Sequence, residues 1–453
     1  MKRAIFPKGF LWGVATSAYQ VEGAVAADGR GQSIWDRFSH APGMVGGGGT
    51  GDVACDQYHR YREDIDLMRQ LGVSAYRFSV AWPRIFPDAT SKVNQAGLDH
   101  YRRLADALGE AGIDPFPTLY HWDMPEWVHA RGGWLSRDIL GPFRDYVDAV
   151  AGALGDRIRY WSVLNEPQVF TTLGYLEGSH APGIRDRASW LRATHVVNLA
   201  QAMGIRSLQA SQGDRAAVGT VVNQEPAYPA SDGPADIAAA ERYHALTNAW
   251  FLDPMLHGSY PRAFIDQDEQ LELMDVRTSD LDALQARPDF IGLNHYFRVI
   301  VEATDDTPEG TRLVPGPGPT TDYGWEVRPG GMNRMLFRVQ RDYPGIPLYI
   351  TENGCSYATE PGPDGRIHDA ERIAYLDGYI GQVGRALSEG VDVRGYFLWS
   401  LIDNFEWQAG YAQRFGIVHC DFASGVTRTI KDSGYWYRDL IRAGEIEYDE
   451  AAD

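Results

Sequence analysis

Eight short apolar runs, each bounded by turn residues, alternate along this chain with longer segments of helical periodicity. This alternation is typical of β-α units, in which parallel strands are joined by helices. Eight consecutive units can close into a barrel, and 453 residues are compatible with one barrel because such folds often run long as single domains. We predict strands at residues 10–16, 75–80, 115–120, 160–164, 217–222, 290–293, 347–351 and 395–400.

The amphipathic segments between these runs are predicted to be helices that cover the barrel. No change of composition marks a domain boundary, and the Gly-rich and Pro/Gly-rich stretches at 46–49 and 315–319 are predicted to be surface loops. We therefore predict an α/β fold: one (β/α)8 TIM barrel over residues 1–453, with its active site at the carboxyl ends of the strands. The predicted helices include 58–71, 98–111, 137–153, 190–211, 236–251 and 370–389.

Charge and hydropathy exclude several classes of partner. A net charge of −19 repels nucleic-acid phosphates and anionic membrane surfaces. The chain has no apolar stretch of the roughly 18–20 residues that a membrane-spanning helix needs, and its start lacks the apolar core of a secretory signal. Cys55, Cys355 and Cys420 follow no metal-binding or paired pattern. We expect reduced thiols in a cytoplasmic protein.

Each predicted strand is followed at or near its carboxyl end by a polar or aromatic residue. In a closed barrel these ends meet at one mouth, where the active sites of such folds lie. A barrel without chemistry would still need some polar residues in its loops, but eight converging groups favour a functional site. The residues are Gln20, Arg77, His121, Asn165 with Glu166, Asn223, Asn294 with Tyr296, Glu352 and Trp399.

Two of these residues, Glu166 and Glu352, are carboxylates that end buried strands. A buried charge is unfavourable unless it is paired or used, so two such positions indicate paired-carboxylate chemistry, with glycoside hydrolysis as the first reaction to consider. We expect apolar neighbours, Trp122 and Trp161, to raise the pKa of Glu166, while Arg77 and Tyr296 keep Glu352 ionised.

Two alternatives accompany this interpretation. Either glutamate taken singly would also suit a turn or a helix N-cap. His121, Asp123 and the two glutamates also carry nitrogen or oxygen atoms that could coordinate a metal ion, although no HxH or HExxH pattern supports a metal site.

An acidic and aromatic segment, 398–407, begins at the end of the last predicted strand and places a carboxylate between aromatic residues just beyond it. Its carboxylates could accept hydrogen bonds from adjacent sugar hydroxyls while an indole covers the C–H face; the alternative is an aromatic core cluster with an incidental acid. The glycine run lacks the context of a phosphate loop, and no dinucleotide fingerprint or nucleophile elbow is present. We expect no cofactor and no metal.

Several motifs in this order and spacing resemble those of the family 1 glycoside hydrolases, over residues 6–442. Plant thioglucosidases of this family have Gln at the position of Glu166. Phospho-glycosidases have a small residue at the position of Glu406, so the presence of Glu406 favours an unphosphorylated sugar. The motifs are FLWGVATSAYQVEG at 10–23, HWD at 121–123, NEP at 165–167, NHY at 294–296, TENG at 351–354, DNFEW at 403–407, RFGIV at 414–418 and KDSGYWY at 431–437.

The resemblance implies a retaining β-glucosidase acting on a small β-glucoside or oligosaccharide, with β-galactosidase or β-fucosidase side activity. It implies Glu166 as acid/base, Glu352 as nucleophile, and Arg77 and Tyr296 as support for the nucleophile. A non-catalytic sugar-binding barrel and a transglycosylase are the alternatives, and the oligomeric state is left open. The expected substrate-binding residues are Gln20, His121, Trp122, Asn165, Asn223, Asn294, Trp325, Trp399, Glu406 and Trp407.

Overall fold

The computed structural model describes residues 2–449 and contains a closed barrel of eight parallel strands. Each strand pairs with the next along the chain, and the last pairs with the first. The predicted barrel is therefore confirmed. We number its strands β1 to β8: Leu11–Ala15, Ala75–Ser79, Asp114–Tyr120, Tyr160–Asn165, Ala217–Asn223, Phe290–Asn294, Leu348–Asn353 and Val393–Trp399.

A long helix follows each barrel strand. These helices are Gln57–Leu71, Gln95–Glu110, Leu140–Leu154, Arg187–Gln212, Pro234–His244, Gly330–Asp342, Ala370–Ser388 and Asp432–Ala443. Shorter helices lie in the connections: Ala18–Val21, Ile34–His40, Trp82–Ile85, Glu126–His129, Pro167–Thr171, Asp253–Leu256, Gln267–Leu273 and Asp280–Leu284.

Two predicted helices differ from the observed ones. The segment 137–153 begins as a 3-10 turn, Arg137–Ile139, and becomes α-helical only at Leu140–Leu154. Pro142 has no amide hydrogen for a bond to residue 138, so the α-helical ladder cannot begin earlier. The segment 236–251 is α-helical over Pro234–His244 and then widens into a π-helical turn, Ala245–Ala249.

Aromatic side chains fill the interior of the barrel. Phe116 on β3 is completely buried, with its ring centroid 5.0 Å from that of Phe397 and 5.4 Å from that of Phe290. Ala15 and Ala75 supply small side chains in the same cluster. Because this packing occupies the inside of the barrel, a cavity can open only beyond it, at the carboxyl ends of the strands.

Three small sheets lie outside the barrel. Lys2–Ile5 pairs with Glu445–Tyr448, and Val418–Asp421 pairs with Thr427–Ile430, both antiparallel. Ala227–Pro229, Val299–Ala303 and Thr311–Val314 form the third sheet. Across residues 2–449, none of the helices has the length and apolar character needed to cross a bilayer.

Candidate active site

A cavity of about 850 Å³ opens at the carboxyl ends of the barrel strands. This volume lies within the range typical of small-molecule sites. Most of the predicted site residues line it: His121, Trp122, Glu166, Asn223, Tyr296, Trp325, Glu352, Trp399, Glu406 and Trp407. The other four, Gln20, Arg77, Asn165 and Asn294, are completely enclosed and bond to residues of the cavity wall or to one another.

Glu352 lies near the end of β7, and each of its carboxylate oxygens accepts a hydrogen bond. Arg77 Nη1 on β2 donates to Oε1 at 2.5 Å, and the Tyr296 hydroxyl donates to Oε2 at 2.7 Å. Burial raises the pKa of Glu352, while the Arg77 guanidinium and the Tyr296 hydrogen bond act against that rise. The expected donors are therefore present, but the net direction of the pKa is upward, because complete enclosure outweighs them.

Glu166 follows β4 directly and precedes the short helix Pro167–Thr171. Its Oε2 accepts a hydrogen bond from Asn165 Nδ2 at 3.2 Å. Burial, and then the negative charge of Glu352, raise the pKa of Glu166 well above its usual range. Among residues 2–449, Glu166 has no direct cationic partner of the kind that Glu352 has in Arg77, so the shared proton of the pair belongs on Glu166.

The two tryptophans expected beside Glu166 occupy different layers. Trp122 lines the cavity together with Glu166, and its indole Nε1 donates to the backbone oxygen of Asn165 at 2.9 Å. Trp161 is completely buried in the main core and does not line the cavity. The reason is the alternation of strand side chains: its neighbour Tyr160 packs with the cluster inside the barrel, so Trp161 points to the other side of the sheet.

Three residues of the cavity wall have left-handed backbone conformations that non-glycine residues rarely adopt. They are Trp122 with φ 81°, Glu166 with φ 46° and Trp407 with φ 45°. Each such conformation costs on the order of 1–3 kcal/mol and persists only where surrounding contacts enforce it. All three are among the residues predicted for the site, and all three line the cavity.

Asn165 connects the two glutamates. Its Oδ1 accepts from Arg77 Nη2 at 2.6 Å and from Asn294 Nδ2 at 3.1 Å, and its Nδ2 bonds to His121 Nε2 at 3.0 Å as well as to Glu166. Because Arg77 also holds Glu352, one continuous hydrogen-bonded network fixes both carboxyl groups.

Glu406 faces the cavity between aromatic rings. Gln20 Nε2 donates to its Oε2 at 3.3 Å, and burial raises the pKa of Glu406 to about 8. The rings of Trp399 and Trp407 each lie 6.0 Å, centroid to centroid, from that of His121. This part of the site combines a carboxyl group with aromatic faces, an arrangement that suits a polyhydroxylated ring.

Asp403 differs from Glu406, although both belong to the segment considered as a sugar clamp. Asp403 is completely buried and does not line the cavity; its Oδ1 lies 2.9 Å from Lys431 Nζ and accepts from the amide of Gly416. The two carboxylates therefore have different surroundings, and only Glu406 reaches the cavity.

Trp325 precedes the helix Gly330–Asp342 and reaches the cavity from a loop. It stacks on Tyr323 with a centroid distance of 4.4 Å and lies 5.1 Å from both Tyr296 and Phe297. The contact with Tyr296 places this aromatic group next to the hydroxyl that holds Glu352.

Sequence reasoning missed several polar residues of the cavity wall: Gln168, Glu177, His180, Glu225 and Tyr243. Gln168 and Glu225 each follow a predicted site residue by two positions, so a slightly longer window after each strand would have included them. The other three come from helices and loops, where no comparable local signal exists.

Among residues 2–449, no group of three or more His, Cys, Asp or Glu side chains is placed to hold a metal ion. His121 Nε2 is already bonded to Asn165. The metal alternative thus finds no ligand set in this part of the chain.

The model of Glycosyl hydrolase family 1 matches residues 2–446. Beta-glucosidase A of Thermotoga maritima is 44% identical over 443 residues, covering 98% of this chain and 99% of that protein. A bifunctional beta-D-glucosidase/beta-D-fucosidase of Bifidobacterium breve is 42% identical over 459 residues, covering 96% and 98%.

A solved structure of the family 1 β-glucosidase from Thermotoga maritima superposes with a TM-score of 0.94 at 44% identity, covering 98% of this chain and 100% of that one. The backbone that carries the paired glutamates therefore matches a known fold over nearly its full length. On these grounds we conclude that the chain belongs to glycosyl hydrolase family 1.

Proposed function

We propose that this protein is a retaining β-glucosidase, which releases terminal non-reducing β-D-glucosyl residues from small β-glucosides or cello-oligosaccharides. The observation that carries the proposal is the pair of buried carboxyl groups, Glu166 and Glu352, in one cavity and in one hydrogen-bonded network. The chain's membership of glycosyl hydrolase family 1 and its 44% sequence identity to a β-glucosidase support the same activity.

In the first step, the Glu352 carboxylate attacks the anomeric carbon while Glu166 gives its proton to the glycosidic oxygen. The bond to the leaving group breaks, and an ester bond between the sugar and Glu352 forms. Arg77 and Tyr296 hold the two oxygens of Glu352, so the attacking oxygen is fixed before the substrate binds.

In the second step, Glu166 takes a proton from a water molecule that attacks the anomeric carbon, and the bond to Glu352 breaks. Two inversions restore the β configuration. This mechanism requires the two carboxyl groups to be about 5–5.5 Å apart, because the nucleophile must reach the carbon directly.

The electrostatics of the pair account for the change of role of Glu166. The negative charge of Glu352 is one cause of the raised pKa of Glu166. When Glu352 becomes an ester that charge disappears, so the pKa of Glu166 falls and the residue becomes a base for the second step.

The groups around Glu406 would bind the sugar that is released. Glu406, Gln20, His121 and Asn165 would bond its hydroxyl groups, helped by Asn294, whereas Asn223, at the end of β5, would contact the leaving group. Trp122, Trp399 and Trp407 would cover its C–H faces, and Trp325 would face the leaving group. A site of this kind also admits β-galactosides and β-fucosides as side substrates.

Hydrolysis of para-nitrophenyl β-glucoside by the wild-type protein and by Glu352→Ala tests the proposal. Glu63→Ala is the matched control, because Glu63 lies on the surface and forms its ion pair with Arg60, three residues earlier on the same helix. Proton NMR of the first sugar released should show the β anomer, with turnover lost in Glu352→Ala and unchanged in Glu63→Ala.

Three other outcomes would contradict parts of the proposal. The α anomer as first product would exclude double displacement. No turnover of β-glucoside, β-galactoside or β-fucoside would favour a non-catalytic sugar-binding barrel. Dominant transfer of the sugar to an added alcohol or sugar acceptor would favour a transglycosylase.

We also propose that residues 1–453 form one catalytic domain in the cytoplasm that acts on oligosaccharides from cellulose. The free, buried thiols of Cys55, Cys355 and Cys420 support a reducing compartment. Fractionation of the source cells should place the activity with cytoplasmic markers, and limited proteolysis should release no smaller stable domain.

A further inference from the structure

The cavity extends from Glu166 toward a wall formed after β5. The backbone amide of Glu166 donates to the carbonyl of Val221 on β5, so the residues after β5 lie beside Glu166. Glu406 and Gln20 follow β8 and β1, on the opposite side of the barrel. Since Glu166 would protonate the leaving oxygen, the wall after β5 lies on the leaving-group side.

Glu225 organises this wall. Its Oε1 accepts from Asn223 Nδ2 at 2.8 Å, and its Oε2 accepts from the Tyr243 hydroxyl at 2.5 Å. Its backbone is held by Asn248, whose Oδ1 accepts from the Glu225 amide and whose Nδ2 donates to the Glu225 carbonyl, each at 2.8 Å. The two oxygens of this carboxylate thus accept hydrogen bonds from two neighbouring side chains, Asn223 and Tyr243.

The groups left to face a leaving group on this wall include several unpaired hydrogen-bond acceptors, together with one unpaired donor, the indole Nε1 of Trp190, among the described residues. Within residues 2–449, Asn223 Oδ1, Gln168 Oε1 and the Glu177 carboxylate receive no hydrogen bond, although all three side chains line the cavity. Arg187, a cation on the cavity wall, donates to Gln270 and Glu309. Aromatic and aliphatic side chains on the same cavity surface include Leu173, Leu176, Leu246, Phe297 and Trp325.

We propose that Glu225 determines selectivity for the leaving group. By holding the donors of Asn223 and Tyr243, it leaves acceptors for the hydroxyl groups of a second sugar, so the enzyme favours sugar aglycones over aglycones that carry no hydroxyl group. The inference rests on the proposed β-glucosidase function and adds the class of leaving group.

The test compares kcat/KM for cellobiose, whose leaving group is glucose, with kcat/KM for para-nitrophenyl β-glucoside, whose leaving group has no hydroxyl donor. In Glu225→Gln the side chain keeps its shape but gains an amide donor, so Asn223 and Tyr243 no longer both find an acceptor. We expect the ratio of cellobiose to aryl-glucoside kcat/KM to fall about tenfold, the effect typical of losing one hydrogen bond to a substrate.

Two further variants keep the test decisive if Glu225→Gln does not fold. Glu177→Gln changes a carboxylate that has no hydrogen-bond partner within residues 2–449, so it breaks no hydrogen bond there, although it removes a negative charge near Tyr243; it should lower the same ratio about threefold. Glu63→Gln alters only a surface pair and should leave both kcat/KM values unchanged.

An unchanged ratio in Glu225→Gln would overturn the role of Glu225, and an unchanged ratio in Glu177→Gln would overturn the recognition of the leaving group by acceptors on this wall. An equal fall for both substrates would also overturn the role of Glu225, because Glu225 would then act through the fold or through Glu166. A wild-type protein that turns over neither substrate would instead refute the β-glucosidase function itself, so the two failures are distinguishable.

Discussion

Glu166 and Glu352 have the same side chain, but different neighbouring groups act on the pKa of each. Arg77 donates directly to Glu352, whereas Glu166 receives its hydrogen bond from the neutral amide of Asn165. Burial raises the pKa of both groups, but the guanidinium opposes that rise more closely at Glu352. One buried cation thus sets which carboxyl group of the pair holds the proton.

Arg77→Met tests this statement at the residue scale. Without the guanidinium, the pKa of Glu352 should rise, so the ionised nucleophile should appear only at higher pH. We expect the acid limb of the kcat/KM profile for para-nitrophenyl β-glucoside to move to higher pH and the maximum to fall by about 10²-fold or more, since a positioned charge is lost.

The control for this substitution is Arg69→Met, which removes an exposed arginine whose nearest carboxylate, on Asp66, lies 3.6 Å away. Its pH profile should match that of the wild type. An acid limb that stays in place in Arg77→Met would show that Arg77 does not govern the ionisation of Glu352.

At the scale of elements, the barrel mouth depends on the close approach of segments that follow neighbouring strands. Gly354 follows β7, and a Cβ atom there would overlap the carbonyl oxygen of Trp399 at the end of β8. Both strands deliver cavity residues, Glu352 and Trp399, so their spacing also sets the geometry of the site.

Gly354→Ala should therefore destabilise the protein and impair the site. Because the overlap involves backbone, the strands must shift, and we expect a cost of about 1–3 kcal/mol in the free energy of unfolding together with lower kcat/KM. Chemical denaturation measures the first effect and the aryl-glucoside assay the second.

Gly152→Ala is the matched control. Gly152 lies in the helix Leu140–Leu154 with no atom within 4 Å of its added Cβ, so alanine should stabilise by about 0.5–1 kcal/mol. Equal stability changes in the two alanine variants would contradict the role assigned to the contact between the strand ends.

At the scale of the whole molecule, a buried ion pair connects the C-terminal segment to the barrel mouth. Lys431 and Asp403 are both completely enclosed, and they join the start of the helix Asp432–Ala443 to the loop after β8. Burial lowers the pKa of Lys431 to about 8, against the opposing charge of Asp403.

Lys431→Met should destabilise the protein by about 3–5 kcal/mol, because it removes the closer, completely buried cation of Asp403 and leaves Arg414, whose Nη1 lies 3.9 Å from Oδ2. Thermal or denaturant unfolding at pH 7 measures the change. The double variant Asp403→Asn with Lys431→Met should lose less stability than the single one, and Lys92→Met, at an exposed position, should change little. A double variant as unstable as the sum of both single variants would argue against an uncompensated charge as the cause.

Local sequence patterns determined the architecture of this protein. The alternation of apolar runs and helical segments identified all eight strands to within two residues at either end. Strand pairing in the barrel follows chain order, so the order of the runs also predicted which strands are neighbours. The same topology explains why residues such as His121 and Glu352 could be placed at one mouth: parallel strands must bring their carboxyl ends together.

Only the tertiary structure decided which side chains face the cavity and how each is charged. Local patterns did not separate Asp403 from Glu406 or Trp161 from Trp122, nor did they reveal Glu225. Burial and hydrogen bonding depend on residues far apart in the chain, as for Arg77 and Glu352, which are 275 positions apart. The sequence thus determined the barrel and its catalytic candidates, whereas long-range packing decided the direction of the Glu352 pKa and the composition of the leaving-group wall, because both depend on the surroundings that folding assembles.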